Sequence, residues 1–372
     1  MMPSDELQAL LALTCTPHLG VINGRRLLEA MGSAKAVYEH RTELPDLIPG
    51  ARPVLVQALD CPAALKRAEV EIEWIQKHRV RCLAITDEDY PARLRECEDA
   101  PLALFYCGNT NLNAKHVVSM VGTRRCSEYG RDLCASFVRD LAKLCPDVLV
   151  ISGLALGIDV ASQRAALTNG LPTVGVLAHG LDRIYPSVHR SIAHEMVQQG
   201  GLLTEYMSFT EPERQNFLRR NRIIAGISEH TIVVESAIRG GSLSTARLAQ
   251  GYARYCYAFP GRVTDEVSKG CNALIRENVA ALITSAEDFV HLAGWETETT
   301  APVAVQRSLF VELTDEEERV LSVLRKAEDG IQVNELVGEC DIPFSRLSSL
   351  LFNMELKGVV RALPGACYRA LD

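Results

Sequence analysis

Three turns in the middle of the chain have the composition of anion-binding loops: Gly122-Thr-Arg-Arg-Cys-Ser-Glu-Tyr-Gly130, Ser152-Gly-Leu-Ala-Leu-Gly-Ile-Asp159 and Arg239-Gly-Gly-Ser-Leu-Ser-Thr245. Glycine and serine at the start of a helix leave backbone N–H groups free, and the helix dipole favours negative charge, so such turns can grip phosphates. The candidate residues are Gly122, Thr123, Ser127, Ser152, Gly153, Gly157, Asp159, Gly241, Ser242 and Thr245, with Gly180 from a fourth turn, His179-Gly-Leu-Asp182. Arg124 adds a fork of donors suited to a pair of phosphate oxygens. Any one such turn can need its glycine for backbone reasons alone. Three of them together with Arg124 favour an anion site.

Residues 214–222, Arg-Gln-Asn-Phe-Leu-Arg-Arg-Asn-Arg, hold four arginines in nine positions. Arg220, Asn221 and Arg222 beside Phe217 are the ingredients of single-strand nucleic-acid binding, cations for phosphates and a ring for base stacking. The competing explanation is a solvated helix face with Glu211 and Glu213 as counter-ions.

Other chemistries lack their residues. No Gly-x-Ser-x-Gly elbow occurs, and Asp159, Asp182 and Glu235 read as turn formers or acceptors rather than as an acid and a base. No Gly-x-Gly-x-x-Gly follows the first parallel strand, which argues against NAD. No Cys-x-x-Cys or His-Glu-x-x-His is present, so no metal and no cofactor are expected. The twelve cysteines are expected to be reduced.

The elements that must position these turns are legible from Val117 onward. Apolar strand candidates at 117–121, 148–151, 172–177, 201–204, 231–234, 255–259 and 280–283 alternate with helical stretches. In the stretch 129–144, Leu133, Phe137, Leu141 and Leu144 share one face. Buried strands alternating with such helices imply an α/β fold with a doubly wound parallel sheet. In such a sheet the ligand crevice lies beyond the carboxyl ends of the strands, where all the turns above should gather.

Before this domain, residues 1–65 read as short helices with Leu7, Leu10, Leu11, Leu27, Leu28 and Met31 at helical spacing. Pro17-His-Leu-Gly-Val-Ile-Asn-Gly24 is similar to a helix-hairpin-helix turn, but Ile22 occupies its second glycine position, which favours a packing module. The α/β domain is expected over 66–290, a linker over 291–309, and a third module over 310–372. That module opens with a Thr314/Glu317 capping box, continues with helices at 333–340 and 343–357, and ends in a hairpin turning at Pro364-Gly365, the pattern of a winged helix.

The 372 residues suffice for two or three domains, and 47% apolar residues suffice to core them. The longest nearly apolar run, Val148 to Ile158, is 11 residues, too short to cross a bilayer, and Asp5 and Glu6 spoil a signal-peptide start. A cytoplasmic protein without a membrane partner is expected. The net charge of -8 is unevenly spread: 119–290 carries 18 basic and 17 acidic side chains, whereas 308–372 carries 7 and 12. A polyanion belongs on the middle segment, and the acidic tail, whose third helix offers only Arg346 and Lys357, suits protein contact or regulation better than duplex DNA.

With these motifs in order, VGTRRCSEYG, SGLALGIDVASQRAAL, GLDRIYP, FLRRNRIIAGIS, VVES, GGSLSTA and PGRV followed by GCNALI, the middle segment resembles the DNA-processing protein A family (DprA, also called Smf). The match is strong over about 110–290, and the front and tail modules extend it over nearly the whole chain. The resemblance implies an extended Rossmann-like, mostly parallel sheet flanked by an N-terminal helical (helix-hairpin-helix or SAM-like) module and a C-terminal winged helix. It also implies a homodimer that binds single-stranded DNA, protects it in natural transformation (competence), and hands it to the RecA recombinase, with no catalytic turnover. By motif, Arg124, Gly153, Gly157, Arg220, Asn221 and Arg222 are the implied DNA contacts. The chain departs from the pattern at Pro172, Gln163, His189, Leu218 and Arg239-Gly240, and Pro172 removes a cation that some members carry.

Two rivals remain at this point. Nucleotide phosphoribohydrolases of the "lonely guy" type share the fold, but need a glutamate after Pro-Gly-Gly-x-Gly-Thr, and here Thr245 is followed by Ala246, Arg247 and Leu248. A transcription regulator would use the winged helix to read duplex DNA.

Overall fold

A computed structural model describes residues 4–48, 53–295, 313–327, 330–363 and 365–371. It divides into two compact units, 1–297 and 298–372.

The first unit is organised by a nine-stranded sheet: β1 (Arg81–Ala84), β2 (Ala103–Gly108), β3 (Val117–Val121), β4 (Leu149–Ser152), β5 (Thr173–Val176), β6 (Gly200–Thr204), β7 (His230–Val233), β8 (Tyr255–Ala258) and β9 (Ala281–Leu282). Spatial order is β1-β2-β6-β5-β4-β3-β7-β8-β9. The seven strands from β3 to β9 pair in parallel, and β2 runs antiparallel to both β6 and β1. The parallel part matches the expectation from sequence to within two residues per strand end, and it is the doubly wound sheet expected.

After β3 the chain winds outward through β4, β5 and β6, then returns to place β7 on the other side of β3. That reversal opens a crevice beyond the ends of β3 and β7. There, Thr123 N–H bonds Glu235 O at 2.8 Å, so the loops after the two strands are tied together.

Four helices reach this rim: α1 (Glu128–Leu144) after β3, α2 (Ile158–Thr168) after β4, α3 (Arg214–Ile227) before β7, and α4 (Gly241–Gly251) after β7. Each buries an apolar face on the sheet. Helix α1 contributes Cys134, Phe137, Val138 and Leu141 to one face of the sheet, while α3 contributes Ile223, Ile224 and Ile227 to the other. Ser127 caps α1 by accepting the Gly130 N–H at 3.0 Å.

The front helices are continuous with this core. Leu10, Leu11, Leu27 and Leu28 belong to the same apolar cluster as Val117, Ile151 and Ile223. The boundary expected at 65/66 is corrected: a single helix, Pro62–His78, runs through it. From that helix the buried Glu71 accepts the Ser208 N–H at 3.0 Å and is paired with Arg67 at 2.8 Å, anchoring the helix to the loop after β6. Gly24, in the helix-hairpin-helix-like stretch, faces Leu102, whose Cδ1 would stand 2.8 Å from an added Cβ. Its role is packing.

The expected linker is also shorter at its start. Helix Ala286–Leu292 and the buried Trp295 belong to the first unit; residues 296–309 of the linker lie outside the described residues.

In the second unit, helices Asp315–Leu324, Val333–Cys340 and Phe344–Leu356 pack on a three-stranded sheet of order β10 (Ile331–Gln332), β12 (Cys367–Ala370), β11 (Val360–Leu363). The capping box forms as expected, with Thr314 Oγ1 accepting the Glu317 N–H and Glu317 accepting that of Thr314. Leu347, Leu350, Leu351 and Met354 of the third helix are buried, giving the winged-helix architecture.

Candidate nucleic-acid interface

A cleft of about 490 Å³ opens at the crevice between β3 and β7. Of the sixteen candidate residues, Gly122, Thr123, Arg124, Asp159, Phe217, Arg220, Asn221, Gly241, Ser242 and Thr245 line it. Three turns and one helix therefore do converge. The lining also includes Arg214, Tyr185, Pro212, Leu218 and Gly240, residues beyond the sixteen.

The three arginines of the cleft differ in what they are free to do. Arg124 and Arg214 are exposed, and among the described residues no carboxylate lies within salt-bridge distance of either. Arg124 places its Cζ 5.0 Å from the centre of the Phe217 ring, a cation–π contact that pre-orients the guanidinium. Arg220 is buried, and its Nη1 donates to Gly153 O at 2.7 Å and to Val176 O. Burial pulls its pKa down to about 10, with Asp159 opposing that shift, so it is charged at neutral pH. Arg220 thus joins β4 and β5 to α3 beneath the cleft and contributes positive potential there rather than a free fork of donors.

Asp159 is the acidic lining residue at the start of α2. Burial raises its carboxyl above the usual range, while Arg220 and the N–H groups of Ala155 and Gly153 act in the other direction.

Several expected contacts do structural work instead. Ser127 donates its N–H and Oγ to the buried Glu235 carboxylate, the N–H at 2.9 Å. Ser152 is fully buried and donates to Met120 O at 2.6 Å. Gly153 lies under the Arg220 guanidinium. Gly157, at φ +83°, lets the loop after β4 meet the loop after β3, since a Cβ there would fall 2.1 Å from Thr123 O. Gly180 faces Asp182 and Met207, away from the cleft lining.

Arg222 is corrected most. Two residues from Arg220 on an α-helix means about 200° around its axis. Accordingly, Arg222 points away from the cleft, donating to Asp99 O and pairing with Glu205, the two side chains 12% and 16% exposed. It fastens α3 to the β2–β6 side of the molecule. Phe217 is corrected in part: it lines the cleft, but the guanidiniums of Arg124 and Arg220 (Cζ 5.9 Å from its centre) lie over its ring.

On the second unit, the two cations of the third helix are spent locally: Arg346 pairs with Glu316 and Lys357 with Glu317, both at 2.8 Å. The same helix exposes Phe344, Phe352 and Leu356. No described helix is long and apolar enough to cross a membrane.

Comparison with known proteins follows the same division of the chain. The family model described as DNA recombination-mediator protein A matches residues 81–294, and that of the DprA winged helix domain matches 308–366. A putative DNA processing protein DprA of Mycobacterium tuberculosis is 36% identical over 253 residues, 64% of each chain, so the match spans less than two thirds of that relative's length. Protein Smf of Escherichia coli is 32% identical over 309 residues, 82% of this chain and 81% of its own. Among solved structures, DNA processing protein A of Streptococcus pneumoniae aligns with a TM-score of 0.61 at 30% identity, covering 80% of this chain and 99% of that one. DNA processing protein A of Helicobacter pylori, described for its single-stranded DNA binding mode, aligns at 0.52 and 30% identity, covering 58% and 95%.

Proposed function

This chain belongs to the DNA recombination-mediator protein A family, and from that premise we propose that its rim cleft binds single-stranded DNA and that the protein hands the strand to a RecA-type recombinase. The observation that carries the reading is the pairing of two exposed guanidiniums, Arg124 and Arg214, neither in a salt bridge among the described residues, with small-residue turns at one end of a parallel sheet. Phosphates meet the guanidiniums and the N–H groups at the start of α4, while the unread bases leave sequence preference low. Protection of incoming DNA during transformation, a homodimeric state and a cytoplasmic setting belong to the same proposal. They are supported by the family alone.

The protein acts in this reading as a carrier, not a catalyst. A phosphoribohydrolase needs a carboxylate free to act at a ribose; the acid in the cleft, Asp159, is buried beside the charged Arg220, and Ala246 and the exposed Arg247 follow Thr245. The winged helix serves protein contact rather than duplex reading, because its two helix cations are ion-paired and the same helix exposes Phe344, Phe352 and Leu356.

Binding of a labelled oligonucleotide at two salt concentrations tests the reading. Each neutralised phosphate contributes about -0.7 to the slope of log affinity against log salt for a single strand, so affinity falls steeply with salt. Salt-independent binding, or release of free base from a nucleoside monophosphate, would overturn it.

A further inference from the structure

Two aromatic rings line the cleft, and they are not equivalent. The Phe217 ring carries the guanidiniums of Arg124 and Arg220, at 5.0 and 5.9 Å from its centre. The buried, doubly bonded Arg220 does not withdraw, so the ring face it covers is closed to a base. Tyr185 stands beside Phe217, ring centres 5.9 Å apart at 59°, and remains 49% exposed.

The backbone that presents Tyr185 is fixed from below. Its N–H donates to His179 Nε2 at 3.2 Å, and the Nδ1 of that buried imidazole is 2.8 Å from Gly180 O. One tautomer satisfies both contacts, with the proton on Nδ1 and the lone pair on Nε2. Burial lowers the His179 pKa, which keeps the ring neutral and that acceptor available. A half-exposed ring on an ordered loop loses little conformational freedom when it takes a ligand.

We propose that Tyr185 is the base-stacking residue of the cleft, receiving an unpaired base whose adjoining phosphate lies at Arg124. The assignment rests on the single-strand reading above, and adds to it the ring on which the strand is held. Arg124 and Tyr185 both flank Phe217, so one nucleotide can touch both. Phe217 then acts as a positioning residue, holding Arg124 in place while Tyr185 meets the base.

The test compares the full-length chain and its variants on two probes of equal length, oligo(dT) and an abasic strand that keeps the phosphates. Tyr185→Leu is expected to weaken oligo(dT) binding about tenfold, the loss of one base–aromatic stack, and to leave the abasic strand unaffected. Tyr185→Trp is expected to retain both. In the unmutated chain, a halogenated-uracil strand should photocrosslink to Tyr185. Equal weakening of both probes, no weakening of oligo(dT), or crosslinking at Phe217 instead would overturn the assignment. Arg124→Ala separates the two levels. If it weakens neither strand, the single-strand reading itself falls; if it weakens both while Tyr185→Leu changes nothing, the stacking role alone falls.

Discussion

The guanidinium of Arg220 lies directly against Gly153, so close that a Cβ on that glycine would stand 2.5 Å from both terminal nitrogens. The contact explains why a glycine is needed at the end of β4 without invoking a ligand. It also makes the floor of the cleft depend on a side chain that no strand of DNA has to touch.

Gly153→Ala should therefore act through Arg220. Because the guanidinium is also bonded to Gly153 O and Val176 O, it has no cheap place to move. A loss of about 1–3 kcal/mol, typical of overpacking, should appear in denaturant melts together with weakened oligonucleotide binding. A variant as stable as the parent would show the floor to be more compliant than described.

Arg222→Ala should fail as a binding variant and succeed as a stability variant. Removing it leaves Glu205, already raised in pKa by burial, without its salt-bridge partner and with only the more distant Arg219 as a nearby cation. The expected loss is about 3 kcal/mol of stability, with oligonucleotide affinity at a temperature well below the melt unchanged. A stable protein with lost affinity would return Arg222 to the interface.

His230 predicts a pH dependence far from the cleft. It is fully buried among Tyr255, Tyr257, Phe289 and Trp295, and neither ring nitrogen has a hydrogen-bond partner among the described residues. Burial, with Arg93 and His116 nearby, lowers its pKa to about 4. A folded-state value below the ordinary 6.5 means that stability is complete above pH 6.5 and is lost as the pH falls toward 4, by at most about 3 kcal/mol. The Glu229 carboxylate, 3.7 Å from Nε2, reduces that figure. His230→Phe should flatten the melting temperature between pH 7 and 5; an unchanged slope would assign it to another group.

Shortening the chain before residue 298 should spare single-strand binding. The second unit is compact by itself, and Arg346 and Lys357 are already neutralised. Affinity for oligo(dT) within about threefold of the parent is expected, since no phosphate contact is removed. A tenfold loss would place a DNA contact in the winged helix.

Sequence made the parallel sheet legible because its strands are short apolar runs closed by glycine turns, and the rule for strand ends then located the cleft. Strands β1 and β2 escaped, because what makes them part of the sheet is the pairing of Phe105 and Tyr106 with Thr204 and Leu203, about a hundred residues away. The arginine cluster was readable as a cluster, and helical periodicity separates Arg220 from Arg222. Which of them faces the rim is decided by Glu205 and Asp99, partners that local sequence does not supply. Tyr185 is visible in the sequence only as part of the GLDRIYP motif, since the folded loop is what brings it to Phe217.

The apolar cluster that joins Leu10, Leu11 and Leu27 to Val117 and Ile223 has a practical corollary. The front of this protein cannot be excised: a fragment begun at residue 66 would cut the helix Pro62–His78 near its start and uncover an oily face of the sheet. Trimming for crystallisation or assay has to come from the other end.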